Sequence, residues 1–352
     1  MTKRTRVSRG AGSGIRDSIS DDQTRTRATS LEGQTKWLHL LRESDISRVI
    51  VVGGSGRLGS LLSHLLTRAG VEVGILDSAP CEALPGTTFT QCDLGRSDPI
   101  SPDLFAGADA VVHLAALHGA HLLAGYPRRD FWKVNVRGTE RVLTAARAAE
   151  VPRAIVASST SVYGSGSSQG PAYVLNEDTA FQPEDVYDFT KLASEELLRK
   201  FGQQGGSGVA LRFGRFFFPS HLDYHLRKLS TGLDALDACQ AIVRAITSPA
   251  SDPFSAYCIA SDLPLEVEQR ERLGHSVADV LEESFPQVVK AAEVRGYALP
   301  TRVGKSVDTS KARTLLGYAP ERALDWAAGM WLEGAPPTRP RLPAQRWLDA
   351  AV

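Results

Sequence analysis

From Ser47 onward the apolar residues fall into short runs of two alternating kinds. "RVIVVGG" (48–54) is a β-branched run closed by glycines, the pattern of a strand buried on both faces of a parallel sheet. "RLGSLLSHLLTRAG" (57–70) follows, with Leu58, Leu61, Leu62, Leu65 and Leu66 at helical spacing and Gly70 as a stop. The strand pattern returns at 71–77, 107–116, 152–159 and 208–214, and helical periodicity at 137–150 and 188–201. Strands alternating with helices predict right-handed crossovers and an α/β fold with a doubly wound parallel sheet.

Beyond about residue 215 the rhythm changes to a helix at 234–248, a strand near 255–260 and mixed pieces to about 332. The expected division is a dinucleotide-binding domain at 46–215 and a smaller mixed C-terminal substrate lobe at 216–332, with helix 234–248 returning to the first domain. Residues 1–45 carry many Arg, Ser, Thr and Gly and few large apolar side chains, the composition of a flexible basic tail. Residues 333–352 are proline-rich and predict a second loose tail.

Composition narrows the function. Lys+Arg and Asp+Glu both number 40, so no net field draws the chain to nucleic acid or an anionic membrane. The longest apolar runs, such as "AVVHLAAL", are far shorter than the ~20 residues that cross a bilayer. Cys81, Cys92, Cys239 and Cys258 show no metal-site spacing and read as free thiols, so the expectation is a cytoplasmic protein without a metal. A small-molecule partner is what remains.

The candidate chemistry lies at strand ends. Gly53, Gly56 and Gly59 follow the first strand and open a helix, as a backbone that touches a pyrophosphate requires. Asp77 ends the second strand, where a carboxylate would bind a ribose diol and repel a 2′-phosphate, favouring NAD over NADP. Arg57, inside the loop, would oppose that preference by gripping a phosphate. Asp93, after a third short strand, is offered to an adenine amino group. Tyr187 and Lys191 are four apart and share a helix face. A hydride-transfer enzyme uses such a pair: the phenol takes the proton of an alcohol, and a nearby ammonium together with the positive nicotinamide makes the phenol more acidic. "SSTSVYG" (158–164) supplies an orienting hydroxyl, Ser159 first, with Ser158, Thr160 and Ser161 as rivals.

Taken together, "GGSGRLG", "CDL", "HLAA", "NVRGT", "SSTSVYG", "YDFTK", "LRFGRFFFP" and "VDTSKARTLLGYAP" resemble the extended short-chain dehydrogenase/reductase family, the NAD-dependent epimerase/dehydratase group, from about Arg48 to about Ala328. The resemblance implies a Rossmann-type domain with NAD as cofactor. It makes Tyr187 the acid/base, Lys191 its partner, Ser159 the substrate-orienting hydroxyl and Asn135 a support of that network. It also places Leu58, Leu94, Leu114, Ala115, Ala116 and Phe213 along the cofactor. Pairing of the helices near 128–149 and 187–204 into a homodimer is a further implication.

Departures from the family sharpen the reading. Thr160 and Ser161 stand where sugar 4,6-dehydratases carry an Asp-Glu pair, which disfavours water loss. Arg215 replaces an asparagine found in nucleotide-sugar epimerases, and only residues 216–233 separate that strand from the next helix. The compact form is similar to uronate dehydrogenases, in which Arg227 would meet a substrate carboxylate. Thr160, Arg215 and Arg227 join Ser159 as expected substrate contacts. The first expectation is a sugar or nucleotide-sugar epimerase. The alternative is a net dehydrogenase of a free sugar or uronic acid, and a remote third is a cofactor sensor without turnover.

Overall fold

The structure, a computed structural model, describes residues 35–81, 84–165, 172–217, 226–249 and 252–332. Expectations for 1–34 and 333–352 therefore lie outside the described residues. Seven parallel strands form the central sheet: β1 (Arg48–Val52), β2 (Glu72–Asp77), β3 (Thr87–Gln91), β4 (Ala110–His113), β5 (Arg153–Ser159), β6 (Ser207–Phe213) and β7 (Phe254–Ile259). Their order across the sheet is β7-β6-β5-β4-β1-β2-β3. The winding reverses between β1 and β4, the place where open α/β sheets bind ligands at the strand carboxyl ends.

The helices that matter for the site are α1 (Arg57–Arg68), α2 (Gly138–Ala148), α3 (Val186–Gln203) and α4 (Ala235–Thr247). α1 and α4 cover one face of the sheet, and α2 and α3 the other, each over its own apolar cluster. The leucines at helical spacing explain why: Leu61, Leu62, Leu65 and Leu66 of α1 are all buried against the sheet. Residues of β1 are likewise closed off on both sides, as the unbroken apolar run predicts.

Three placements depart from the expected division. Trp37, Leu38 and Leu41, assigned to the tail, are buried in the first apolar cluster, because these large side chains give a short helix something to bury. The strand near 255–260, assigned to the lobe, is β7 and extends the central sheet by pairing with β6 from Phe254↔Gly208 to Ile259↔Phe213. Tyr173–Leu175, assigned to the first domain, pairs instead with Lys305–Val307. Parallel pairing depends on partners far apart in sequence, which local periodicity does not register.

A third apolar cluster, built around Leu273, Val280, Leu281 and Val288, belongs to helices Val277–Ser284 and Pro286–Arg295. No helix among the described residues is long and apolar enough to cross a membrane. Cys81, Cys92, Cys239 and Cys258 are all free thiols.

Candidate active site

The loop after β1 is shaped by close backbone approach. Gly53 has φ +87, a conformation that L side chains rarely adopt, and a Cβ there would sit 2.5 Å from the Ala115 nitrogen. A Cβ on Gly59 would lie 2.2 Å from the Gly53 carbonyl oxygen. Gly56 is the N-cap of α1 and has no capping side chain, so the first amides of α1 face outward without one. A bare backbone at a helix N-terminus is the cradle that a pyrophosphate fits. Arg57 is half-buried at the first position of this helix.

Asp77 holds the loop in place. One carboxylate oxygen accepts from the Ser55 amide at 3.0 Å and the other from the Ala79 amide at 3.0 Å. Asp93 accepts from the Gly95 amide at 2.7 Å. A cavity of about 470 Å³ lies beside it, lined by Ser78, Gln91, Cys92, Asp93, Arg96 and Arg141 among others. This cavity opens at the end of β3, and Tyr187 is not among its lining residues.

The other expected cofactor contacts divide in two. Ala115 donates its amide to the Val52 carbonyl and, with Leu114 and Ala116, is only partly buried at the cleft. Leu58, Leu94 and Phe213 are 6%, 5% and 4% exposed and pack in the apolar clusters, so their side chains are not offered to a ligand. The expectation of cofactor contact at these three positions therefore falls on their backbone, the Leu58 amide being among the first of α1.

Tyr187 stands in the first turn of α3, which Asp185 caps by accepting from the Asp188 amide at 3.0 Å. Ser159 ends β5, and its hydroxyl pairs with Ser161 at 2.8 Å and lies near enough to Tyr187 to draw that phenol's pKa down. Ser158 points the other way, buried and bonded to Glu195. Among the rival hydroxyls, then, Ser159 is the one that acts on the phenol, and Thr160 is buried. The alternation of side chains along a strand separates Ser158 from Ser159.

Lys191 lies one turn along α3, with its ammonium 5.6 Å from the Tyr187 ring centre and 2.7 Å from the Ala157 carbonyl oxygen. Burial pulls Lys191 down to about 8, against the Glu195 charge, which pulls it up. Burial also pushes the Tyr187 hydroxyl up to about 12; the Ser159 hydrogen bond works in the opposite sense, and Asp188 and Asp185 add to the rise. In the protein alone desolvation is the largest influence on this phenol, and the expected lowering calls for the positive nicotinamide beside the ammonium.

Asn135 ties the surrounding elements together without touching Tyr187. Its Oδ1 accepts from the Leu117 amide at 2.8 Å, and its Nδ2 donates to the Leu117 carbonyl and to Thr190, each at 2.9 Å. The residue sits in a π-helical turn, Trp132–Arg137, whose widened hydrogen-bond register leaves its carbonyl to accept from Thr139. Because that hydroxyl proton is engaged, Thr139 accepts from His113 Nε2 at 2.8 Å, which makes His113 the Nε2–H tautomer. Burial, and then Lys191, pull His113 down to about 3, so it is neutral.

Several site residues escaped sequence reasoning. His118 accepts from the Ala120 amide through Nδ1 and packs edge-on against His121, ring centres 4.4 Å apart. Burial, then His121, Lys191 and Arg57, pull His118 down to about 4. Lys305, brought in by its long-range strand, donates to the Gly164 carbonyl at 2.5 Å at the end of the hydroxyl loop. Burial lowers Lys305; Glu184 and Asp188 raise it and Arg215 lowers it, so Lys305 and Arg215 share one neighbourhood. Arg215 is exposed beside Gly232, and Arg227 is exposed on the turn Arg227–Leu229. The only sequence signal for the histidines was their spacing of three in "LHGAH". No group of metal-ligating side chains occurs among the described residues.

Comparison with known proteins identifies the family and the fold. Residues 49–235, more than half of the chain, match the NAD dependent epimerase/dehydratase family. A 3-beta-hydroxysteroid dehydrogenase of Mycolicibacterium neoaurum is 32% identical over 178 residues, 47% of this chain and 46% of that protein. The chain spans about half the length of the first curated relatives it matches. A dTDP-6-deoxy-L-talose 4-dehydrogenase (NAD(P)(+)) of Kitasatospora kifunensis is 28% identical over 298 residues, 79% of this chain and 92% of that one. Among solved structures, MoeE5 in complex with UDP-glucuronic acid and NAD has the same fold, with a TM-score of 0.61 at 23% identity, covering 82% of this chain and 99% of that one. The glycine cradle, the strand-end hydroxyl and the tyrosine–lysine helix thus belong to a chain that is a member of the NAD-dependent epimerase/dehydratase family.

Proposed function

We propose that this protein is an NAD-dependent oxidoreductase acting on a secondary alcohol of a sugar or nucleotide sugar, most simply as an epimerase. The observation that carries the reading is the Tyr187/Lys191 pair, the ammonium 5.6 Å from the ring centre, on a helix that opens beside the strand end carrying Ser159. NAD, when bound, supplies a hydride acceptor and a positive ring whose charge favours a tyrosinate.

In this reading Tyr187 Oη takes the proton of the substrate hydroxyl as the carbinol hydrogen leaves as hydride, and returns it when the carbonyl is reduced. Ser159 donates to the same oxygen and fixes its direction. Lys191 holds the nicotinamide ribose and opposes the cost of a charged phenolate. The Gly53–Gly59 cradle takes the pyrophosphate, Asp77 the adenosine ribose and Asp93 the adenine. Arg215 and Lys305 supply positive charge on the substrate side, and Arg227 is the outlying member of that set.

Net oxidation is the second reading, favoured by the Kitasatospora relative, a dehydrogenase matched over 79% of this chain, and by the short segment 216–233. Purified protein incubated with NAD and a panel of sugar nucleotides and free uronates decides between them. Inverted sugar with no build-up of NADH supports the epimerase; steady NADH release with a uronate supports the dehydrogenase. Absence of both, with NADH still bound, returns the chain to the role of cofactor sensor.

Gly59→Ala tests the cofactor site by itself. Its Cβ meets the Gly53 carbonyl, so the loop has to open at a cost of about 2 kcal/mol, and NADH affinity is expected to fall about thirtyfold. Fluorescence titration with NADH measures this, and unchanged affinity would remove the cradle from the reading. A homodimer is part of the same proposal, since Trp132 and Phe189 are 46% and 50% exposed on adjoining helical segments. Sedimentation analysis of the purified protein tests it.

A further inference from the structure

Behind Tyr187 and Lys191 lies a buried polar cluster that the reaction scheme does not use. Glu195 is 4% exposed and follows Lys191 by four positions, so its side chain sits one turn away on the same face of α3. Arg212 of β6, also 4% exposed, donates to it twice, from Nε at 3.0 Å and from Nη2 at 2.8 Å. Ser158 of β5 donates to the Oε1 oxygen of the same carboxylate. Arg212 continues to the Tyr163 hydroxyl at 2.6 Å, and that hydroxyl lies 3.4 Å from Cys258 Sγ on β7.

We propose that Glu195 is a positioning residue for the reaction: clamped by Arg212 and Ser158 one turn along α3, its carboxylate is the fixed negative charge that keeps Lys191 an ammonium while the Ala157 carbonyl holds its direction. The proposal rests on the reading of Lys191 given above.

Three observations support it. A buried ion pair is a poor source of stability, because desolvating both charges offsets their attraction, so a clamp of this quality calls for another reason to be there. The two strands that hold Glu195 are the ones that carry the site: Ser158 precedes the orienting Ser159, and Arg212 stands opposite Ser158 in the β5–β6 register. The remaining charged or titratable groups facing Lys191 do not perform this task. His113 on β4 is neutral, His118 on the loop above is pulled down to about 4, and Tyr187 is a neutral phenol. Glu195 is the group whose charge raises Lys191 against its burial.

The test reads the amine directly and needs no substrate. Carbamoylation by cyanate proceeds on the neutral amine, so the rate at Lys191, followed across the alkaline range by mass spectrometry of its peptide, reports the midpoint of its titration. In the unaltered protein that midpoint is expected at about 8. Glu195→Gln is expected to move it down by about one pH unit, making labelling at a fixed pH below the midpoint about tenfold faster. Glu195→Asp keeps the charge and is expected to leave the midpoint near its original place, which loss of packing alone would not do.

If Glu195→Gln leaves Arg212 buried and alone and the protein does not fold, the double replacement Glu195→Gln with Arg212→Gln is expected to move the midpoint in the same direction by less, because the guanidinium that opposes the ammonium is lost as well. An unmoved midpoint in the Gln variants, or an equal movement in Glu195→Asp, overturns the proposal. NADH added to the unaltered protein separates the two readings. If it fails to slow labelling, Lys191 is not in the cofactor cleft, and the midpoints still decide what Glu195 does.

Discussion

Tyr187→Phe is expected to lower turnover about a thousandfold while NADH affinity and thermal stability stay close to the original. The ring remains in its half-buried seat at the start of α3, so packing is kept, and what is lost is the one oxygen shared by Ser159 and the substrate hydroxyl. The pH dependence of the original protein follows from the same group. With burial holding the phenol near 12, the fraction present as tyrosinate rises about tenfold for each pH unit below that value, so alcohol oxidation speeds up with pH. Bound NAD, which brings positive charge, moves the midpoint of that rise below 12. Steady-state kcat/KM across pH, with whichever sugar the panel identifies, measures both effects. Turnover retained in Tyr187→Phe would remove the proton transfer from this residue.

Lys191→Met is expected to do two opposite things: abolish most of the activity and make the fold more stable. A buried Lys191 with a pKa of about 8 instead of 10.5 means that the folded state disfavours the ammonium by about 3 kcal/mol. Methionine removes that cost but also the hydrogen bond to Ala157, about 1.5–3 kcal/mol for a charged donor, leaving a net gain of up to about 1.5 kcal/mol at neutral pH.

The sign of its pH dependence is fixed by linkage. The folded-state value lies below the unfolded one, so the unfolded chain binds the extra proton. The penalty in the original protein is therefore complete below about pH 8 and disappears as pH rises through 10.5. The stability advantage of Lys191→Met should shrink over that window and vanish above it. Calorimetry of the two proteins across pH tests this; an equal difference at all pH values would mean that Lys191 is not buried as a charge. A site that holds a destabilising charge exchanges stability for chemistry.

Much of the sheet was legible because its causes are local. Leu58, Leu61, Leu62, Leu65 and Leu66 mark α1 by spacing alone, and "RVIVV" marks a strand buried on both faces. The glycines of the phosphate loop and the Tyr187/Lys191 pair are local too, the first through backbone geometry and the second through the pitch of one helix. The tail boundary failed because Trp37, Leu38 and Leu41 find their burial against the core that also holds α4, a partner some two hundred positions away in the chain. β7 was misplaced for the same kind of reason, since its membership in the sheet is decided by the register with β6. Leu58, Leu94 and Phe213 occupy family positions beside a cofactor, yet packing turns their side chains into the core.

What the order of residues determined by itself is the repeating strand-helix rhythm, the glycine cradle and the residue types brought to the strand ends. These depend on steric limits and periodicities that act within a few residues. Only the tertiary structure decided which of Ser158 and Ser159 meets the phenol, that Glu195 and Arg212 close behind Lys191, and that burial raises Tyr187 and lowers Lys191. Desolvation and long-range pairing are properties of the packed interior, where the dielectric surroundings of each group are set by neighbours distant in the chain.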